Sequence, residues 1–101
     1  MNSHGKGSDR GAALYEALLT LKTSEECYAF FEDLCTVSEQ MAMEQRFEVA
    51  RLLDQGNIYS DVLEKTGVSS ATVSRVKRCL NYGAGGYRLV LERMKTGEET
   101  E

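Results

Sequence analysis

A glycine-centred turn between two short helical segments constrains the fold of this chain more than any other feature. The turn lies in TGVSSATVSRVKRCL, residues 66–80. Gly67 tolerates the left-handed backbone conformation that ends one helix, so a second helix can begin within a few residues. Apolar residues flank the turn at helical spacing: Val62, Val68, Val73 and Val76. Burial of these valines would clamp the two helices together as a helix-turn-helix.

With the valines assigned to a core, the second helix keeps an outward face of small polar and basic side chains. Ser69 or Ser70 is expected to cap this helix, which should run to about Leu80. Short residues at a helix N-terminus let the backbone approach base edges, and a threonine methyl group can contact that of thymine. Cationic side chains pair with phosphates, and arginine also reaches guanine. Together with a phosphate anchor near the start of the preceding helix, the predicted DNA-binding residues are Ser60, Ser69, Ser70, Ala71, Thr72, Ser74, Arg75, Lys77 and Arg78.

The distribution of charge favours an anionic partner, although the whole chain carries a net charge of −4. Residues 70–95 contain six basic residues and one acidic residue, a net charge of +5, whereas the remainder contains six basic and fifteen acidic residues, a net charge of −9. Such asymmetry indicates one face suited to an anion on a surface that otherwise repels it. An ordinary solvated basic helix would have the same composition, so charge alone does not distinguish it from a DNA-binding helix. The helix-turn-helix motif must do so.

The rest of the sequence predicts further α-helices and no strand. Leucines recur at helical spacing from Ala12, and the segments TSEE and TVSE each place a threonine three residues before a glutamate. This capping-box arrangement predicts helix starts at Thr23 and Thr36. Gly56 is expected to end the third helix, which is longer than the others.

Shorter elements follow, and the boundaries define the predicted organisation. Ser60 is expected to cap a helix over about 61–65, NYGAGG to break the helix after Leu80, and a final helix to span about 87–94. The prediction is an all-α fold of about six helices, with residues 1–11 as a disordered tail, 12–95 as one domain and 96–101 as an acidic tail.

Several classes of function are not favoured. No Ser/His pair, activated carboxylate pair or phosphate-cradling loop is present, so no catalytic residues, no cofactor and no enzymatic activity are predicted. His4 has no second ligand nearby, so no metal site is predicted. The scattered Cys27, Cys35 and Cys79 suit a reducing interior. No apolar run approaches a membrane span or a signal peptide, and a cytoplasmic protein is expected.

Two interpretations of the helix pair remain open from the residues alone. The first is a DNA-binding transcription regulator. The second is a protein-interaction module that contacts another protein, such as a polymerase subunit. Their dependence on salt separates them, because a DNA-binding protein loses affinity steeply as salt rises.

The stretch EQRFEVARLLDQGNIYSDVLEKTGVSSATVSRVKRCL resembles the Trp repressor family. FFEDLCTVSE and SRVKRCLNYGAGGY resemble its YerC/YecD branch in particular, and the likeness covers residues 12–94. The resemblance implies an intertwined homodimer in which the N-terminal helices of two chains interlock. It also implies repression through a palindromic site, with the second helix of each helix-turn-helix in a major groove. A dimer would cover the apolar residues Leu14, Leu18, Phe30, Phe31 and Phe47.

The same resemblance implies a pocket for an amino-acid corepressor. The two pocket arginines of the Trp repressor pattern would fall on Arg46 and Arg75. A glycine follows the second arginine in that pattern, whereas Val76 follows it here, and its γ-methyl groups are expected to obstruct an indole ring. Tryptophan is therefore not the expected effector. Three alternatives remain open for the two arginines. They could bind a different small ligand, contact a DNA phosphate, or form an ion pair with the carboxylate of Glu39, Glu44 or Glu48.

Overall fold

The computed structural model describes residues 10–97, and these residues form six α-helices and no strand. The prediction of an all-α fold with about six helices is confirmed. The chain divides into two compact units, one up to Gln40 and one from Met41. Of the predicted tails, residues 1–9 and 98–101 lie outside the described residues. The helices are α1 (Ala12–Leu18), α2 (Ser24–Leu34), α3 (Val37–Asp54), α4 (Tyr59–Thr66), α5 (Ser70–Tyr82) and α6 (Gly86–Thr96).

Thr23 and Thr36 cap α2 and α3, as predicted, and the full capping box forms at α3. The backbone N–H groups of Glu26 and Glu39 donate to the hydroxyls of Thr23 and Thr36, each at 3.1 Å. The Glu39 carboxylate accepts a return bond from the N–H of Thr36 at 2.9 Å. The Glu26 carboxylate instead accepts from the N–H of Lys22 at 2.8 Å, one residue before the cap. Each exchange satisfies two backbone amides and fixes where the helix begins.

The N-terminal unit has almost no core of its own. No residue of α1 or α2 is buried, and Gln40 is the sole buried residue among positions 10–40. The rings of Phe30 and Phe31 pack edge to face with centroids 5.8 Å apart. Large apolar side chains remain exposed in this unit: Tyr15, Leu19, Tyr28, Leu34 and Val37. Apolar exposure on this scale is typical of a surface that another protein covers.

The C-terminal unit contains the core. Its buried residues come from four helices and are Val49, Ala50, Leu52, Val62, Val73, Val76, Leu80 and Leu91. Val62 and Val73 have no exposed surface, and Val68 packs half-buried against the cluster. Burial of one such side chain contributes about 1.5–3 kcal/mol to folding. The predicted clamp of valines around the turn is confirmed.

The turn between α4 and α5 has the predicted chemistry. Gly67 adopts a left-handed conformation with φ 71°, and its N–H donates to the carbonyl of Leu63 at 2.9 Å. Ser69, not Ser70, caps α5, because its hydroxyl accepts from the N–H of Thr72 at 3.1 Å. The helix continues two residues beyond the predicted end, to Tyr82.

The predicted capping of α4 by Ser60 is wrong. The helix begins at Tyr59 with Ile58 at the N-cap position, and no side chain makes a capping hydrogen bond. The cause lies at the end of α3, where the N–H of Gly56 donates to Leu53 and that of Asn57 donates to Leu52. This paired C-terminal motif reverses the chain within two residues, so α4 can start immediately after Ile58.

The glycine-rich segment after α5 ends the helix by close contact. The N–H of Gly83 donates to the carbonyl of Cys79 at 2.8 Å, and a Cβ atom at Gly83 would overlap that carbonyl oxygen. Gly85 then adopts φ 91° immediately before α6, which spans Gly86–Thr96 and is longer than predicted. Glycine is therefore required at position 83 because a side chain has no room there, and favoured at position 85 because of its left-handed backbone conformation.

Candidate nucleic-acid interface

The exposed face of α5 lies opposite the residues that anchor it in the core. Val73, Val76 and Leu80 are buried, and steps of 100° per residue place Ala71, Arg75 and Arg78 on the far side of the helix. The predicted DNA-binding residues are exposed, with the exception of the half-buried Thr72. We call this exposed surface the α5 face; it consists of Ser70, Ala71, Ser74, Arg75, Lys77 and Arg78. Its small residues lie mainly in the first turn and its cations in the second and third, in the order that the sequence predicts.

Thr72 is less available than the sequence suggests. Its hydroxyl lies 3.0 Å from the hydroxyl of Ser69, and the side chain is half-buried at the flank of α5. Position 72 precedes Val76 by one helical turn, which places Thr72 on the same side of the helix as a core residue. The methyl and hydroxyl groups of Thr72 can reach a groove only at the edge of the α5 face.

The cations of α5 have no competing partners among the described residues. Arg75, Lys77 and Arg78 form no ion pair within residues 10–97, and α5 contains no acidic residue. Three positive charges therefore face solvent with no carboxylate on the same helix. An anion approaching this face would not have to displace an internal partner, which favours phosphate binding.

Two other cations of the basic segment share one carboxylate. The guanidinium of Arg88 lies 3.3 Å and the ammonium of Lys95 lies 3.0 Å from the Asp54 carboxylate, whose side chain is only 10% exposed. Arg88 also donates to the carbonyl of Leu80 and to the side chain of Asn81. Arg88 thus ties α6 to the end of α5 and to α3. The Asp54 carboxylate thus offsets one of these two charges, whereas the three cations of α5 have no such partner among the described residues.

The first turn of α4 supplies a second backbone feature near this face. Ser60 is exposed in that turn, and the leading amide groups of α4 have no side-chain cap. Unsatisfied amides at a helix N-terminus favour an anion. The exposed Asp61 of the same turn opposes an anion there, so the phosphate contact of Ser60, which is not the capping residue, remains a prediction.

Two tyrosines belong to this region and were not predicted from the sequence. The hydroxyl of Tyr59 lies 3.0 Å from the carbonyl oxygen of Ser70 and 3.3 Å from the hydroxyl of Ser74. Tyr82, which is 85% exposed, follows Arg78 by one turn and extends the α5 face. Helical spacing from Arg78 would have found Tyr82, whereas the contact of Tyr59 crosses between helices and leaves no local pattern.

Arg46 and Arg75 show no sign of a carboxylate pair. Within residues 41–97, neither arginine has an ion-pair partner, and the nearby Glu48 pairs with Arg51 at 2.6 Å instead. The hydrogen bond from Arg51, reinforced by its charge, lowers the pKa of Glu48 and keeps that carboxyl ionised. A pair between Arg46 and Glu48, one of the alternatives that the sequence leaves open, is therefore not formed, because Arg51 occupies the Glu48 carboxylate.

A shallow cleft of about 400 Å³ lies beside α5, but Arg46 and Arg75 do not line it. Tyr59, Lys77 and Arg88 are among its lining residues. Val76, next to Arg75, is 1% exposed and packs in the core. The small-ligand assignment of Arg46 and Arg75 remains a prediction.

Residues 10–97 offer neither a metal-binding cluster nor a membrane span. No three histidine, cysteine or acidic side chains in that range lie close enough to hold a metal ion, and His4 lies outside it. The three cysteines are free thiols. Within the same range, every helix is too short or too polar to cross a membrane.

A helix-turn-helix on an all-α scaffold, with a cationic second helix facing solvent, defines a class of regulatory proteins. The comparisons with known proteins place the chain within that class. The model of the Trp repressor protein family matches residues 11–95. The chain is 53% identical over 85 residues to the uncharacterized protein YerC of Bacillus subtilis, and the match covers 84% of this chain and 82% of YerC. The chain belongs to the Trp repressor family, and specifically to its YerC-type branch.

Two solved structures support the same fold. A TrpR-like protein from Eubacterium eligens is 51% identical with a TM-score of 0.79, over 83% of this chain and 87% of that one. A candidate Trp repressor from Staphylococcus aureus is 45% identical with a TM-score of 0.81, over 91% of this chain and 96% of that one. The resemblance inferred from the motifs is therefore confirmed over nearly the whole described chain.

Proposed function

We propose that this protein is a cytoplasmic, homodimeric, sequence-specific DNA-binding transcription regulator that acts as a repressor. The single observation that carries the proposal is the α5 face, where three cations that form no ion pair within residues 10–97 stand beside short residues on a helix held by buried valines. An α-helix of this kind fits the major groove of B-form DNA. Membership of the Trp repressor family supports the same function.

The residues of the α5 face divide into two kinds of contact. Arg75, Lys77 and Arg78 are suited to phosphates, with Arg75 and Arg78 also able to reach guanine. Ala71 and Ser74, which are short and exposed, let the backbone of α5 approach base edges. Phosphate contacts fix the position of the helix on the duplex, and base contacts choose the sequence.

The proposed homodimer is supported by the apolar surface of the N-terminal unit. α1 and α2 bury none of their residues within the chain, whereas a stable domain of this size must bury most of its apolar surface. A second copy would cover this surface and would also present a second α5. Two copies related by a twofold axis match two half-sites of a palindromic sequence.

The dimer is testable by sedimentation. The wild-type chain of 11.3 kDa should sediment as a species of twice that mass at micromolar concentration. Leu34→Asp, on the exposed apolar face of α2, should weaken dimerisation roughly a hundredfold or more, because a buried unpaired carboxylate costs several kcal/mol. The exposed Glu32→Ala on the same helix is the control and should leave the mass unchanged. A wild-type monomer at these concentrations would contradict the proposal.

DNA binding is testable by comparing two substitutions on α5. Arg78→Ala should weaken binding to all duplexes and reduce the slope of log affinity against log salt by about 0.9 for each phosphate that is no longer neutralised. Thr72→Ala should change sequence choice while leaving that slope unaltered. Arg51→Ala, which removes a cation paired to Glu48 on α3, is the control for net charge. The measurement is a gel-shift series over several salt concentrations.

The outcome also separates the proposal from its alternative. If both variants bind as the wild type does, the assignment of the α5 face is wrong. A protein-interaction module would show no appreciable affinity for duplex DNA even at low salt.

A further inference from the structure

The contact between Tyr59 and α5 fixes the direction of a hydrogen bond at the exposed α5 face. The phenol oxygen lies 3.0 Å from the carbonyl oxygen of Ser70 and 3.3 Å from the hydroxyl oxygen of Ser74. A phenol has one proton, and a carbonyl oxygen can only accept. The shorter contact therefore takes the proton of Tyr59.

The direction of the second bond follows from the first. With its proton directed to Ser70, the Tyr59 oxygen can only accept from Ser74, so the Ser74 hydroxyl is the donor in that contact. A serine hydroxyl has one proton and two lone pairs. Because its proton points toward Tyr59, the exposed Ser74 offers only lone pairs to solvent.

We infer that Tyr59 makes Ser74 a hydrogen-bond acceptor toward DNA and thereby sets base choice at one position of the half-site. The inference rests on the proposed DNA-binding function and adds a residue on α4 that touches no base. Tyr59 is a positioning residue, and Ser74 is the residue that contacts the base.

The chemistry of the major groove then limits what Ser74 can bind. Phosphate oxygens and the keto groups of guanine and thymine are acceptors, so an acceptor hydroxyl cannot pair with them. The donors in the major groove are the exocyclic amino groups of adenine and cytosine. Ser74 should therefore favour adenine or cytosine over guanine or thymine on the strand that it faces.

The test begins with duplexes selected from a random pool by the full-length wild-type protein. Every base is then placed in turn at each position of the half-site, and affinity is measured for each duplex. At one position, adenine and cytosine should bind about three- to tenfold more tightly than guanine and thymine, the worth of one uncharged hydrogen bond. Ser74→Ala should abolish this preference.

Tyr59→Phe provides the decisive comparison. The substitution frees the Ser74 proton, so Ser74 can also donate to keto groups. The preference for adenine and cytosine at that position should then disappear, while the slope of log affinity against log salt stays unchanged. In the Ser74→Ala background, Tyr59→Phe should change base choice no further, because both act through one hydroxyl. Tyr87→Phe on α6 is the matched control, since the same hydroxyl is removed from a ring that packs against Phe47. Thermal melting of each variant shows that it is folded.

The possible outcomes are distinguishable. If Ser74→Ala keeps the preference, or if Tyr59→Phe keeps it while Ser74→Ala loses it, the inference is wrong and the proposed function stands. If the wild type binds no duplex, the proposed function is wrong and the inference falls with it. Should Tyr59→Phe fail to fold, the base preference of Ser74→Ala decides instead: its loss supports the inference and its retention contradicts it. Position 74 lies at the surface, so the Ser74→Ala variant should fold.

Discussion

Replacing Val73 with aspartate should unfold the C-terminal unit at room temperature or lower its melting temperature by about 15 °C or more. The Val73 side chain has no exposed surface and lies in the core between α3, α4, α5 and α6. The substitution removes apolar packing and buries a carboxylate with no partner, at a cost of about 4 kcal/mol or more. Circular dichroism during thermal unfolding measures the change.

Ala71→Asp is the matched control for this prediction. Ala71 lies on the same helix two residues earlier, but it is exposed. A carboxylate in the first turn of a helix is tolerated and interacts favourably with the helix dipole. Its stability should therefore change by no more than about 0.5 kcal/mol, while its affinity for DNA should fall. A melting temperature lowered equally by both substitutions would contradict the assignment of the two faces.

Removing all three cations of α5 should nearly eliminate DNA binding while leaving the fold intact. In Arg75→Ala/Lys77→Ala/Arg78→Ala, each subunit is left without the three charged groups proposed to bind the duplex. At roughly 1.5 kcal/mol for each charge-assisted hydrogen bond, the affinity should fall about a thousandfold or more at fixed salt. The three side chains are exposed, so the melting temperature should remain close to that of the wild type. Fluorescence anisotropy with a labelled duplex measures the affinity.

A second triple variant separates local contacts from total charge. It removes the same number of positive charges from positions outside α5: Lys22, Arg51 and Arg93. If the α5 face carries the binding, this variant should retain most of the affinity. Equal losses of affinity in the two triple variants would show that net charge, rather than the α5 face, governs binding.

Much of the architecture was predictable because the helix ends carry local chemistry. Thr23 and Thr36 begin their helices through bonds to residues three positions away, and Gly67 ends α4 through its own backbone conformation. The valines around the turn were assigned to the core by spacing alone, which suffices because a helix places residues three and four apart on one face. The exposed α5 face was then predicted as the residues of α5 that the core does not use.

The features that spacing could not predict depend on contacts between distant parts of the sequence. Asp54 pairs with Arg88 and Lys95, more than thirty residues away, and its single negative charge offsets part of the positive charge that composition assigned to residues 70–95. The contact of Tyr59 with α5 spans eleven residues to Ser70. No periodicity within one helix encodes such pairings, because they arise only when the helices pack.

The error at Ser60 has a different origin. A serine before an acidic residue is typical of a helix start, but α4 begins earlier because the motif at Gly56 already reverses the chain. The end of one helix thus set the beginning of the next, and the capping preference of a single residue was outweighed.

The most direct test is the affinity of the wild-type protein for a selected duplex between about 50 and 200 mM salt. With three cations on each of two α5 helices bound to phosphates, the slope of log affinity against log salt should be about −5, which corresponds to a loss of about a thousandfold over this range. No measurable binding at the lowest salt, or an affinity that does not change with salt, would contradict a DNA-binding α5 face.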